Sequence, residues 1–362
     1  MACSRMALAI VIRLACLTAV FAAPFSFKDN PLGNGFPMIV QPSDALTVIS
    51  VNAHGSLPNS PPPPNKPSAD ALTSLRLIAF NELFEVAYFT ELLNNITNNV
   101  EGYEVGGRDD ARNFMIKALT AVQAQEELHV LNANGAITHF GGEAIQPCTY
   151  NFPVSNINDA ITLAQTFTDV VLGTLQDVVS LFGTDGDTAL IRGVSSVIGQ
   201  EGEQNGWYRT FLGKVPSALP FLTTSTREFA FSALQGFVVP GSCPNLDTIK
   251  LQIFKPLTVI TANPEPKEQD ITFSVEIAKD SDWMSSYSIT YINQQNLPIN
   301  KPISNVNIVD RTVTFSANFP YDMATFGNGM TIAAVTNSTG SFDSASDVAK
   351  ATVFGPGLIE IN

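Results

Sequence analysis

The sequence predicts an α+β protein of more than one domain, a four-helix bundle with a short fifth helix followed by a small β-sandwich. Three observations carry this. Between residues 68 and 236, apolar side chains recur at the three- and four-residue spacing of amphipathic helices. Beyond residue 256 that spacing gives way to short β-branched runs alternating with period two. The helices also carry acidic side chains on their apolar faces, where an ionised carboxylate is costly unless something pairs with it. At 362 residues the chain is longer than one bundle needs, so the expected division is 1–23, 24–67, 68–255 and 256–362.

Residues 1–23 read as a secretory signal. Arg5 and Arg13 supply positive charge, residues 14–21 are apolar, and Ala22 and Ala23 offer small residues for cleavage. Cys3 and Cys16 leave with that segment. Cys148 and Cys243 then stand alone in an oxidising compartment and are expected to form a disulfide. Asn95 and Asn337 begin Asn-x-Thr triplets, the acceptor pattern for N-glycosylation. No other stretch approaches the ~20 apolar residues of a membrane span, and the C-terminus lacks the apolar tail of a lipid-anchor signal. The expected location is extracellular or cell-wall, without a stable membrane anchor.

Composition narrows the partners. Charged residues are 14% of the chain, well under the roughly 25% of an average soluble protein. The net charge is −14, and no basic stripe exists to meet phosphates, so nucleic acid is excluded as a partner. A cell-wall or extracellular partner is left open, and the sequence does not fix an oligomeric state.

Residues 24–57 show no sustained period. Residues 58–67, PNSPPPPNKP, are an extended polyproline linker. The first helix is expected over 68–94, with Leu72, Leu75, Ile78, Leu83, Val86 and Phe89 on its apolar stripe. The second spans 109–137, the third 158–183, the fourth continues from the turn at 184–187 to 212, and the fifth spans 226–236. The 184–187 turn lacks the later Gly and Glu of a calcium loop. In the C-terminal region, residues 271–277, 287–292, 312–316 and 330–335 read as strands. That region contains no His or Cys, and packing, spacing or surface adhesion are its expected roles.

The chemistry lies in the helices. Glu126 and His129 form a Glu-x-x-His pair, and residues three apart share a helix face. Leu119, Val122, Val130 and Ala133 surround Glu126 on that face. Glu82 and Glu85 sit among apolar neighbours on the first helix, and Glu201 does so on the fourth. Inward carboxylates and Glu-x-x-His pairs on facing helices are how a four-helix bundle builds a di-metal site. The candidate metal-ligating set is Glu82, Glu85, Glu126, His129, Glu201 and Gln204. Gln204 stands where a second imidazole would complete the pattern, and amide is a poor transition-metal ligand. On the third helix the inward polar residue is Thr168, and the face bearing Asp169 reads as solvated. The set suffices for one ion, with iron or manganese the candidates, and is lopsided for two. No nucleophile elbow, phosphate loop or Cys-x-x-Cys is present.

The runs FNELFEVAYF (80–89), QEELH (125–129) and QEGEQ (200–204) resemble the ferritin-like domain of secreted and desiccation-related proteins. More closely, the chain resembles fungal late sexual development and starvation-stress proteins, which join a signal peptide, this helical domain and a β-rich tail. The resemblance covers residues 68–255. It implies metal ligands at Glu82, Glu126, His129 and Glu201. It also places a third-helix ligand at Thr168 and a second His at Gln204, where this chain departs. The implied role is extracellular and non-enzymatic, in development or stress, with a degenerate metal site. The alternatives are an iron- or manganese-dependent oxidase or peroxide-handling enzyme, and metal storage, which a glycan at Asn95 and a bulky second domain would hinder by blocking cage assembly.

Overall fold

The computed structural model of the protein describes residues 23–29, 31–106, 109–279 and 283–361. The expected signal segment, apart from its last residue, lies outside them. The bundle consists of α2 (Ala69–Thr97), α3 (Asp109–His139), α4 (Ile157–Thr184) and α5 (Ile191–Phe211), with α6 (Arg227–Gln235) packed against α2 and α4. These are the five helices read from the sequence. An additional helix, α1 (Asp44–Asn52), lies ahead of the polyproline linker. It has little amphipathic pattern of its own and buries only Ile49 fully, which sits with Ala53 against Ala124 of α3.

Local chemistry sets the helix starts. Ser68 caps α2 by accepting from the Ala71 N–H at 3.0 Å, and Asn156 caps α4 through the Asp159 N–H at 2.9 Å. Each satisfies a backbone donor that the first helical turn leaves unpaired. Helix α2 is buried on almost every side because α3, α4 and α6 all pack against it. That environment lets it carry apolar residues all round. Gly173 of α4 has the Thr223 carbonyl where a Cβ would stand, so only glycine allows the 223–225 segment to approach.

The connection from α3 to α4 crosses the bundle. Tyr150 within it exchanges backbone hydrogen bonds with Phe25, at 2.8 and 2.9 Å, and is bridged to Val238. The Cys148–Cys243 disulfide closes the same region. One covalent bond and one small three-stranded patch thus tie the N-terminal segment, the crossover and the chain after α6 together.

The C-terminal region is a seven-stranded, wholly antiparallel sheet in the order β1-β2-β5-β4-β3-β6-β7. Its strands are β1 (Thr258–Val259), β2 (Gln269–Glu276), β3 (Ser288–Asn293), β4 (Ile299–Val309), β5 (Thr312–Phe319), β6 (Gly329–Thr336) and β7 (Thr352–Ile361). The turning strand is β4. Residues 299–302 pair with β3 and residues 303–309 with β5, the second pairing broken by a register shift between Ser304 and Asn307. The two halves of the sheet therefore face each other as the layers of a sandwich do, around Phe273, Tyr291, Phe315 and Phe354. On the far side β1 approaches β7, where a Cβ on Gly357 would meet Leu257 and Val259, and the sheet comes close to a barrel.

Strands β3 and β6 are buried along their whole length. One face looks into the near-barrel. The other is covered by α4, α6 and α7 (Ala345–Ala351), whose Val170, Phe229 and Val348 pack against Ile332. A sheet buried on both faces loses its alternation of polar and apolar residues.

Candidate metal centre

Three bundle helices deliver the central polar group. Glu82 comes from α2, Glu126 and His129 from α3, and Glu201 from α5. One ligand atom of each lies within 4.8 Å of the others. The three glutamates are 1% exposed or less, and the His129 side chain is 16% exposed. His129 Nδ1 is 2.8 Å from Glu126 Oε2 and 3.3 Å from Glu82 Oε2. Nδ1 thus lies within reach of both carboxylates. Atoms each about 2.1 Å from one ion lie at most about 4.2 Å apart, so a modest contraction closes the group around a metal.

The donor set fits such an ion. Both carboxylate oxygens of Glu201 and Oε1 of Glu82 are buried without a hydrogen-bond partner. Buried polar atoms in folded proteins are almost always satisfied, and these three are acceptors with capacity left for a proton, a donor or a cation. Thr168 Oγ1 is likewise buried and unpartnered, at the α4 position where the resemblance expects a carboxylate.

Electrostatics follow from the crowding. Burial pushes the Glu82 carboxyl up to about 7, against the pull of His129. Burial, then the charges of Glu82 and Glu126, hold Glu201 well above the usual carboxylate range. Burial also acts on Glu126 and His129, but there the mutual attraction wins. Glu126 is held low and His129 well above an ordinary imidazole. The group as folded is one ion pair beside carboxyls that resist ionising.

The other two sequence candidates stand beside this group. Glu85 accepts from Asn81 Nδ2 at 2.8 Å, and burial followed by the charges of Glu126, Glu201 and Glu82 raises its pKa strongly. Gln204 donates through Nε2 to Glu126 Oε1 at 2.7 Å and lies 3.1 Å from Gln125 Oε1. Gln125 also accepts from Gln200 at 3.0 Å and donates to the Ala53 carbonyl at 3.3 Å. This glutamine chain links the ligand Glu126 to the end of α1. Its signal in the sequence was a set of amides at positions 125, 200 and 204, of which only Gln204 was singled out. Tyr208 joins the same chain, its hydroxyl 3.4 Å from Gln204 Oε1.

Asp169 corrects the reading of its face as solvated. It is 8% exposed and accepts from Asn205 Nδ2 at 2.8 Å. The α5 helix and strand β7, which brings Glu360 against it, cover a stripe that looks polar on α4 taken alone. Asp169 belongs to a separate polar cluster and not to the Glu82 group.

Residues 75–214 match the family model of the ferritin-like domain. The match takes in most of α2 and all of α3, α4 and α5, with all four converging residues, so the α2–α5 bundle is a ferritin-like domain. A comparison with curated proteins gives no match for the chain.

Proposed function

We propose that the ferritin-like domain binds one divalent first-row transition ion, iron or manganese, through Glu82, Glu126, His129 and Glu201. The observation that supports this most is the pair of buried, unpartnered Glu201 oxygens facing an imidazole and two further carboxylates. Carboxylate and imidazole ligands suit these metals. The bound ion would supply positive charge, and redox capacity if it is iron. The chain's own residues orient the ligands: Gln204 fixes Glu126 by its 2.7 Å hydrogen bond, a supporting contact of the kind that tunes ligand geometry.

The proposed setting is extracellular. The Cys148–Cys243 disulfide suits an oxidising compartment, and no helix among the described residues is long and apolar enough to cross a membrane. Asn337 is exposed and Asn95 half-buried, and both are proposed glycan acceptors. By its resemblance to fungal development and starvation-stress proteins, the chain is read as a secreted, non-enzymatic protein of that context, in which the ion serves structure or sequestration. A second reading, an oxidase or peroxide-handling enzyme, is favoured by an aliphatic-walled pocket that reaches Glu82.

Cobalt(II) titration tests the binding. Visible ligand-field bands that saturate near one equivalent, and vanish in Glu126→Ala and Glu201→Ala, are expected. Identical spectra in wild type and both variants would reject the assignment.

A further inference from the structure

A second polar cluster sits where the bundle meets the sheet, and the cation centre makes no use of it. Gln165 and Asp169 stand one turn apart on α4 and are 0% and 8% exposed. Asn205 and Arg209 come from α5, Glu360 from β7, and Lys214 from the turn after α5. That turn is fixed. Gly213, at φ +73°, donates its N–H to the Thr210 carbonyl at 3.1 Å, and Lys214 donates its own to the Arg209 carbonyl at 2.9 Å. This is the glycine-terminated helix end that satisfies orphan carbonyls. Arg209 clamps the same turn by donating through Nε to the Val215 carbonyl at 2.7 Å.

The side chains are arranged around one buried amide. Lys214 donates through Nζ to Gln165 Oε1 at 2.8 Å. Gln165 Nε2 lies 3.5 Å from Asp169 Oδ2. Asp169 also accepts from Asn205 Nδ2 at 2.8 Å and shares a hydrogen bond with Glu360. An amine therefore meets the oxygen of the amide, and a carboxyl pair meets its nitrogen. Burial pushes the Lys214 amine below the usual lysine range, with Glu360 opposing and Arg209 assisting. Burial, then the charge of Asp169, hold the Glu360 carboxyl well above the usual carboxylate range. A desolvated lysine is the nucleophilic form. Holding it against its target removes the entropic cost of encounter, and an adjacent acid can protonate a leaving nitrogen.

We propose that Lys214 and Gln165 condense into a side-chain amide bond, with Asp169 and Glu360 moving the protons that the exchange requires. Lys214 Nζ attacks Gln165 Cδ. The Nζ–Cδ bond forms and the Cδ–Nε2 bond breaks. The ammonium of Lys214 gives up two of its protons through the carboxyl pair, and both depart with Nε2 as an ammonium ion. Atoms and charge balance without an oxidant, a metal or any other co-reactant. The bond clamps the turn after α5 onto α4, across a separation of 49 residues. Because Glu360 belongs to β7, the acid is in place only once the sheet has docked on the bundle, so the cross-link follows folding.

The test is peptide mapping by mass spectrometry of the full-length, folded protein after denaturation, disulfide reduction and digestion. In wild type the peptide carrying Gln165 and the peptide carrying Lys214 should be found joined, lighter than their sum by one ammonia. They should be separate in Lys214→Arg, and also in Glu360→Gln, which keeps the shape of that side chain and removes its acid. Separate, unmodified peptides from wild type would overturn the proposal. Joined peptides from folded Glu360→Gln would overturn the part given to the carboxyl pair. If Glu360→Gln does not fold, the wild-type and Lys214→Arg digests decide alone. The cluster shares no residue with the Glu82 group, so either result leaves the cation reading where it stands.

Discussion

Gln204 follows Glu201 by one helical turn on α5 and donates its amide to Glu126 at 2.7 Å. A symmetric bundle site would put an imidazole there. The glutamine instead braces a ligand on the facing helix, which makes the centre one-sided: His129 is the single nitrogen of the converging group.

The bracing has a measurable consequence. Gln204→Ala frees Glu126 to rotate and removes the link to Gln125. Contacts that orient a ligand typically contribute 10- to 100-fold to metal affinity, so manganese(II) binding should weaken by about that factor in a calorimetric titration. The metal-free variant should also lose stability, by about 1–3 kcal/mol, because Glu126 Oε1 is left in the core without the Gln204 amide.

Glu201 holds two unpartnered oxygens in the dry core. Replacing it by Gln removes a group that resists ionising there. In the metal-free protein, Glu201→Gln should be neutral or stabilising, because the amide cannot ionise and its NH2 can donate to the carboxylates that crowd Glu201. The same variant should lose most of the rise in melting temperature that manganese or iron gives the wild type. Scanning calorimetry with and without metal reads both effects.

Stability should depend on pH in an unusual direction. Burial raises Glu82 and Glu127 to about 7 and Asp177 to about 6. Between pH 4.5 and 7 the folded protein therefore holds protons that the unfolded chain has lost, and stability must fall as pH rises. Glu126, held low, opposes this as the pH drops, but it is one group against several. His129, held high, adds stability that is complete below about 6.5, the unfolded imidazole value, and is lost as pH climbs, which is the same sense. Urea denaturation of the metal-free protein should give a higher midpoint at pH 5 than at pH 7.5. Metal affinity should run the other way and rise with pH, because the ligands must shed protons to bind.

The disulfide spans a sequence separation of 95 residues. Closing so long a loop restricts the unfolded chain by about 4–5 kcal/mol on the chain-entropy argument. Reduced protein should therefore unfold at clearly lower urea concentration than oxidised protein. Equal midpoints would show that the Phe25–Tyr150–Val238 patch holds that loop unaided.

The bundle was legible because its signals are local. Apolar periodicity marks α2 to α6, and the Glu-x-x-His pair on α3 marks the centre. What escaped depends on neighbours distant in sequence. Helix α1 has weak periodicity and is stabilised by docking on α3 through Ile49 and Ala53. Strand β4 is largely exposed beyond Ile303, so it shows no alternation, and β7 carries Gly355, Pro356 and Gly357 inside a paired strand. Asp169 looked solvated because α5 and β7, which cover it, cannot be read from α4. The choice among Glu82, Glu85 and Gln204 needed three-dimensional convergence. The spacing put Glu82 and Glu85 on one helix, but only the fold shows Asn81 drawing Glu85 aside.

The central claim is that the Glu82, Glu126, His129 and Glu201 group binds a metal ion, and metal content tests it most directly. Protein purified from a secretion host, loaded with iron(II) or manganese(II) and freed of excess ion, should retain near-stoichiometric metal per chain. Glu126→Ala, treated identically and shown to be folded by circular dichroism, should retain none. Wild-type protein that holds no metal after loading, or a folded variant that holds as much as wild type, would contradict the account.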